Sequence, residues 1–297
     1  MAPARALIYG MDEDTDNVSK RERYIMNLST KNQIKSDIAR YPKFYSLIRG
    51  LYSIWRKAMH LLRKIMSILM LVFPVNRTKV VITSHYGKGY GDNAKYIVEE
   101  LVRRHNKYDI VWLLNKELYG SVCFPDYIRT VKYGSLRALF ELATAKIWID
   151  NCRKEFYPIK RKSQFYIQTW HGGLGIKKIE RHAMGSLSRE YIRIAKNDSN
   201  MADLLISNST HLTNIYRDAF WYSGEILECG YPKNDVFFAR NLDVAQKVRD
   251  YFGINVNSKI VLYAPTHRSR QDLASYNIDY ERVLDVLEKE TGCMWTF

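Results

Sequence analysis

From Lys79 onward, short runs rich in β-branched and aromatic residues alternate with segments of helical periodicity, and this alternation restricts the fold more than any other feature. The runs are Val80–Ser84, Ile110–Leu114, Ile128–Val131, Lys146–Asp150, Phe165–Thr169, Leu204–Ser207, Ile226–Cys229 and Ile260–Ala264. Helical spacing falls between them on Asn93–His105, Ser135–Ala145, Ser188–Met201, Ser209–Ala219 and Asp243–Phe252. Unbroken apolar runs of this length suit strands buried on both faces. Strand, helix and strand in succession require right-handed crossovers and a parallel, doubly wound sheet. The expected class is therefore α/β, with ligands held beyond the carboxyl ends of the strands.

The chain has 297 residues, enough for two domains or for one and part of another. With 46% hydrophobic and 13% aromatic residues it can build a core, which excludes a wholly disordered chain. Cys123, Cys152, Cys229 and Cys293 form no C-x-x-C pair, so neither a disulfide framework nor a thiolate zinc site is expected. No H-E-x-x-H, EF-hand loop, Walker A sequence or G-x-S-x-G is present, and no metal site is expected. Gly87-Lys-Gly-Tyr-Gly91 is G-x-G-x-G, not a dinucleotide fingerprint; it reads as a loop lining the cleft, with Asp92 or Asn93 capping the next helix. The only early apolar run, Ala6 to Tyr9, is followed by Asp12, Glu13, Asp14 and Asp16, so no secretory signal is read and a cytoplasmic location is expected.

A net charge of +15 calls for an acidic partner. No acidic residue lies between Asp37 and Asp92, while Arg40, Lys43, Arg49, Arg56, Lys57, Arg63 and Lys64 all do. Phe44, Ile48, Leu51, Trp55, Ala58, Leu62, Ile65 and Leu69 recur at steps of three and four, which sets them along one side of a helix. A basic amphipathic helix results, suited to an anionic membrane surface. Packing on the following domain and a coiled coil are the other readings of this pattern. The uncharged run Ile65–Asn76 falls short of the ~20 residues needed to span a bilayer. Nucleic acid is not the expected partner, because the basic run is interleaved with an apolar stripe instead of stacking aromatics. The expected organisation is a disordered segment 1–40, this helix in 41–76, a Rossmann-like domain in 77–255, and the start of a second domain in 256–297. The last residues read as a strand being entered, so the chain is expected to stop in mid-domain.

Three strand ends carry candidate chemistry. Phe165–Thr169 delivers Trp170 and His171 to the carboxyl edge, followed by Gly172 and Gly173. A helix is expected to start there, its free N–H groups favouring an anion, with Lys177 and Lys178 adding positive charge. His171 is the candidate proton acceptor, with a structural imidazole as the plainer reading. Gly230-Tyr-Pro-Lys-Asn-Asp235 reads as a tight turn after the seventh strand. Thr266, His267 and Arg268 follow the eighth, where an arginine can grip phosphate oxygens, although a surface loop would look the same.

Thr169–Lys178, Leu205-Ile-Ser-Asn-Ser209, Ala219-Phe-Trp-Tyr222 with Glu225–Asp235, and Val261–Arg268 together resemble the CDP-glycerol glycerophosphotransferases, which build teichoic-acid-like polymers. The resemblance covers Thr78 to Phe297. It implies a GT-B-like fold, a peripheral position on the cytoplasmic face of the membrane, and CDP-glycerol as donor with no cofactor. Glycerol phosphate would pass to a hydroxyl of a lipid-linked acceptor, releasing CMP. The catalytic histidine of the W-H-G motif falls on His171. The family's G-x-P-R-x-D motif falls on Gly230, Pro232, Lys233 and Asp235, with lysine in place of the usual arginine. Trp170, Gly172, Gly173, Lys177, Lys178, Ser207, Asn208, Pro232, Lys233, Asp235, Thr266, His267 and Arg268 are the expected substrate-binding residues. The family's downstream R-x-H-P and I-x-D-Y-S-S segments lie beyond Phe297. Transfer of ribitol phosphate or another alditol phosphate, glycosyl transfer, and a noncatalytic membrane-associated module are the competing expectations.

Overall fold

The computed structural model describes residues 42–104, 107–155, 157–173, 175–238, 242–263 and 279–296. The segment 1–40, expected to be disordered, lies outside these residues, as do Thr266, His267 and Arg268. The chain divides into two compact units between Asn234 and Asp235.

The first unit opens with helix α1 (Pro42–Leu69) and then builds a sheet from β1 (Asn76–Thr83), β2 (Asp109–Leu114), β3 (Ile128–Lys132), β4 (Ala145–Asp150), β5 (Phe165–Gln168), β6 (Leu204–Ser207) and β7 (Glu225–Glu228). All seven strands run parallel, in the order β3-β2-β1-β4-β5-β6-β7. Helices α2 (Asp92–Arg104), α3 (Leu136–Thr144), α4 (Arg189–Met201) and α5 (Thr210–Ala219) supply crossovers. The strand order reverses between β1 and β4, and such a reversal opens a crevice at the carboxyl edge.

Alternation along the strands sorts side chains onto two faces. Val80, Ile82, Ile110 and Trp112 pack with Ala94 and Val98 of α2, while Val81, Val111, Leu113 and Trp148 pack with Ala138 and Leu142 of α3. Three helices are started by serine: the side chains of Ser135, Ser188 and Ser209 accept from the backbone N–H of Ala138, Tyr191 and Leu212. Charges buried in this unit are paired. Glu141, fully buried, accepts from Lys79 at 2.6 Å and also from Arg129 and Arg137.

Helix α1 meets the domain through its polar side. Arg56 pairs with Glu190 at 2.8 Å, the Ser67 hydroxyl accepts from the Ile159 N–H, and the Arg63 guanidinium sits 5.3 Å over the Tyr157 ring. The apolar stripe faces outward: Leu51, Trp55, Leu62 and Leu69 are each at least half exposed. Part of the cationic face anticipated as free is thus occupied by packing, leaving Lys57 and Lys64 exposed beside the stripe. Among the described residues no helix is long and apolar enough to cross a membrane.

The second unit contains α6 (Leu242–Phe252), β8 (Lys259–Ile260), α7 (Tyr280–Thr291) and β9 (Trp295–Thr296). β8 and β9 pair in parallel, so the terminal segment read as an entering strand does pair as one. Asp279 caps α7 at its start, and Gly292 closes it in the left-handed conformation.

Candidate active site

At the strand-order reversal, β1, β4 and β5 deliver His85, Asn151 and His171 to one edge of the sheet. Backbone strain gathers here: His85, Tyr86, Asp92 and Trp170 all have φ between 45° and 59°. Side chains in that region cost of order 1–3 kcal/mol each and persist only where surrounding contacts hold them. Gly87 makes the loop possible, because a Cβ there would lie 2.5 Å from the Asn115 nitrogen.

Asn151 is the hub. Fully buried, it accepts from the His85 backbone N–H at 2.7 Å through Oδ1, while Nδ2 donates to Asp92 and to Ser84 Oγ. Its carbonyl oxygen lies 2.7 Å from His171 Nδ1. A carbonyl can only accept, so Nδ1 carries the proton and Nε2 is left with its lone pair. The His171 side chain is exposed and its ring stacks on Trp170 at 4.5 Å. Cys152 Sγ lies 3.9 Å from the same Nδ1. Burial, then the charge of Asp150, pushes this thiol up to about 12, so it stays protonated near neutral pH.

Asp92 binds the edge together. Its side chain is 6% exposed and lies 2.8 Å from Lys233 Nζ and 3.1 Å from His85 Nε2. Burial alone would raise the Asp92 pKa, but hydrogen bonds from His85, Lys233 and Asn151 outweigh it and hold the carboxyl well below the usual range. Lys233 Nζ also donates to the His171 carbonyl at 3.2 Å, and the Lys233 backbone N–H donates to the buried Asn93 side chain. The other side of the Asn93 amide reaches the Trp170 carbonyl at 3.4 Å.

Beneath the edge, Arg153 is 3% exposed, pairs with Glu180 and Asp198, and lies over the Trp170 and Phe220 rings. The Tyr216 and Tyr231 hydroxyls converge on the Gly172 carbonyl at 2.8 and 3.0 Å. Asn208 donates to the Gly173 carbonyl at 3.1 Å.

The structure therefore brings Trp170, His171, Gly172, Gly173, Asn208 and Lys233 together, and adds His85, Asp92, Asn93 and Asn151. Ser207 is fully buried and shares its hydroxyl with Thr213, so it does not face the crevice. Among the described residues no α-helix starts between Gly173 and the 3-10 turn at Glu180–Ser186. Gly175 adopts φ +67°, and a Cβ there would meet Ile215 Cδ1 at 2.6 Å, so this position breaks a helix and presses the loop onto α5. Lys177 and Lys178 are exposed and border a shallow depression with His182, Ala183, Gly185 and Ser186, a rim that does not include His171. Pro232 and Lys233 sit in the 3-10 turn Pro232–Phe237, and Asp235 is exposed at the start of the second unit. The added residues carry little local signature, since Asn151 and Asp92 act through partners distant in sequence. Their one signal is position, immediately after β4 and at the start of α2.

Fold and edge define a GT-B-like α/β protein with an oriented imidazole at the carboxyl edge of its sheet. The profile of the family described as CDP-Glycerol:Poly(glycerophosphate) glycerophosphotransferase matches residues 65–294. The chain belongs to that family. A teichoic acid poly(glycerol phosphate) polymerase from Bacillus spizizenii is 32% identical over 255 residues, covering 82% of this chain and 61% of the relative. The corresponding polymerase from Bacillus subtilis is 31% identical over 226 residues, covering 74% of this chain and 30% of the relative. A solved structure of the wall teichoic acid polymerase TagF superimposes with a TM-score of 0.68 at 27% identity, covering 85% of this chain and 63% of that one. The chain thus spans between 30% and 63% of the length of these proteins.

Proposed function

We propose that the protein transfers glycerol phosphate from CDP-glycerol to a hydroxyl of a lipid-linked acceptor or growing poly(glycerol phosphate) chain, at the cytoplasmic face of the membrane. The observation that carries this reading is the His171 imidazole, on an exposed residue and anchored through Nδ1 to the Asn151 carbonyl. The acceptor hydroxyl gives its proton to Nε2 as its oxygen bonds to the phosphorus bearing glycerol. The bond from that phosphorus to the bridging oxygen breaks, and CMP leaves with the electron pair. Phosphoryl transfer depends mainly on positioning and on charge stabilisation. Lys177 and Lys178 are the proposed sources of positive charge, with Pro232 lining the donor; the binding roles expected of Thr266, His267 and Arg268 fall outside the described residues. Lys233 and Asn208 act by holding the His171 and Gly173 backbone carbonyls in place. Relatives named as ribitol-phosphate polymerases match at lower identity, which favours glycerol over ribitol as the alditol. The outward apolar stripe of α1, beside Lys57 and Lys64, is the proposed contact with anionic lipid.

Incubation with CDP-glycerol and a lipid-linked glycerol phosphate acceptor is expected to release CMP in proportion to acceptor consumed. Saturable CDP-glycerol binding with no CMP release at any acceptor concentration would identify a binding module instead.

A further inference from the structure

A second imidazole stands at the same edge and the proton transfer leaves it unused. The His85 ring centroid lies 5.5 Å from that of His171, with the planes inclined at 58°. Its side chain is about half exposed, and its backbone N–H is held by Asn151. Its Nε2 faces the ionised Asp92 carboxylate at 3.1 Å, whose other oxygen is taken by Lys233. A carboxylate, like a carbonyl, can only accept, so Nε2 carries a proton, and in the neutral ring Nδ1 keeps its lone pair. Among the described residues nothing hydrogen-bonds that Nδ1. Two neighbouring rings therefore each have one nitrogen tied to an acceptor within the protein and the other left as an acceptor itself.

Two acceptor nitrogens on rings whose centroids lie 5.5 Å apart match a ligand offering O–H donors on neighbouring carbons. We infer that His85 and His171 together read a vicinal diol, the terminal glycerol unit of the acceptor, with His85 Nδ1 accepting from the hydroxyl that does not react. This rests on the proposed transfer reaction and adds to it the residue that reads the second hydroxyl of the acceptor terminus. His85 is then a specificity-determining residue. It favours acceptors whose terminal unit carries both hydroxyls, because a site built to accept from an O–H rejects an analogue that lacks it.

The test compares two synthetic lipid-linked acceptors, one ending in glycerol phosphate and one ending in 1,3-propanediol phosphate, which keeps the primary hydroxyl and lacks its neighbour. Wild type is expected to favour the diol at least tenfold in kcat/KM. His85→Phe should reduce that preference to within about twofold, while His85→Gln, which keeps an acceptor atom, should retain part of it. Equal use of both acceptors by wild type, or an undiminished preference in both variants, overturns the inference. A binding measurement separates this inference from the transfer reaction. Titration with sn-glycerol 3-phosphate, followed by NMR of the histidine ring carbons, should shift the His85 resonance, whereas 1,3-propanediol phosphate should not. Identical responses to the two compounds count against the inference. Absence of CMP release with a diol-selective His85 shift removes the transfer reaction and leaves the diol site standing.

Discussion

Asp92 and Lys233 lie far apart in the chain, yet their ion pair fixes the loop after β1 to the turn after β7, and the same lysine holds the His171 carbonyl. The family's usual arginine would present a planar fork there; lysine presents a single ammonium, which still reaches both Asp92 and the carbonyl. The Asp92 carboxyl is depressed in the folded protein, so its contribution is fully present above the ordinary carboxylate pKa of about 4 and is lost as pH falls below that. Asp92→Asn is expected to cost about 2 kcal/mol at pH 7, discounted for the one-third exposure of Lys233. Urea unfolding at pH 7 and at pH 3 should show the gap between variant and wild type narrowing in acid. A gap that is constant or widens would refute this account of the pair.

Helix α1 shows why a helical period does not reveal which side will be buried. The stripe from Leu51 to Leu69 was plain in the sequence, as was its basic flank, but the domain takes the side bearing Arg56, Arg63 and Ser67. The deciding contacts come from Tyr157, Ile159 and Glu190, which no local pattern links to α1. An outward row of Leu, Ile and Trp in water is costly, at about 25 cal/mol per Å² of apolar surface. A membrane interface would bury that row and place Lys57 and Lys64 near lipid headgroups. Trp55→Glu with Leu62→Glu is expected to reduce cosedimentation with vesicles containing phosphatidylglycerol by at least tenfold, without altering the melting temperature by more than a few degrees. Unchanged cosedimentation would contradict the proposed surface.

Across the molecule, the sheet was legible because a parallel strand buried on both faces must be apolar along its length, as in Val80–Ile82 and Ile110–Leu114. Helix boundaries were legible where serine capped them, at Ser135, Ser188 and Ser209. The strand-end histidine was legible as well, since Trp170, His171 and two glycines follow a short apolar run. The segment after Gly173 was not, because its shape depends on the approach of Gly175 to Ile215 rather than on any local helix signal. Asn151 was equally silent: its role comes from lying at the reversal of strand order, and that order is set by long-range pairing. Substituting His171 bears most directly on the central claim, read as the rate of CMP release from CDP-glycerol at saturating donor and acceptor. A general base contributes about 10²–10⁴-fold, so His171→Ala should fall by at least 100-fold in kcat while folding and donor binding persist. Turnover within a few-fold of wild type would contradict the account.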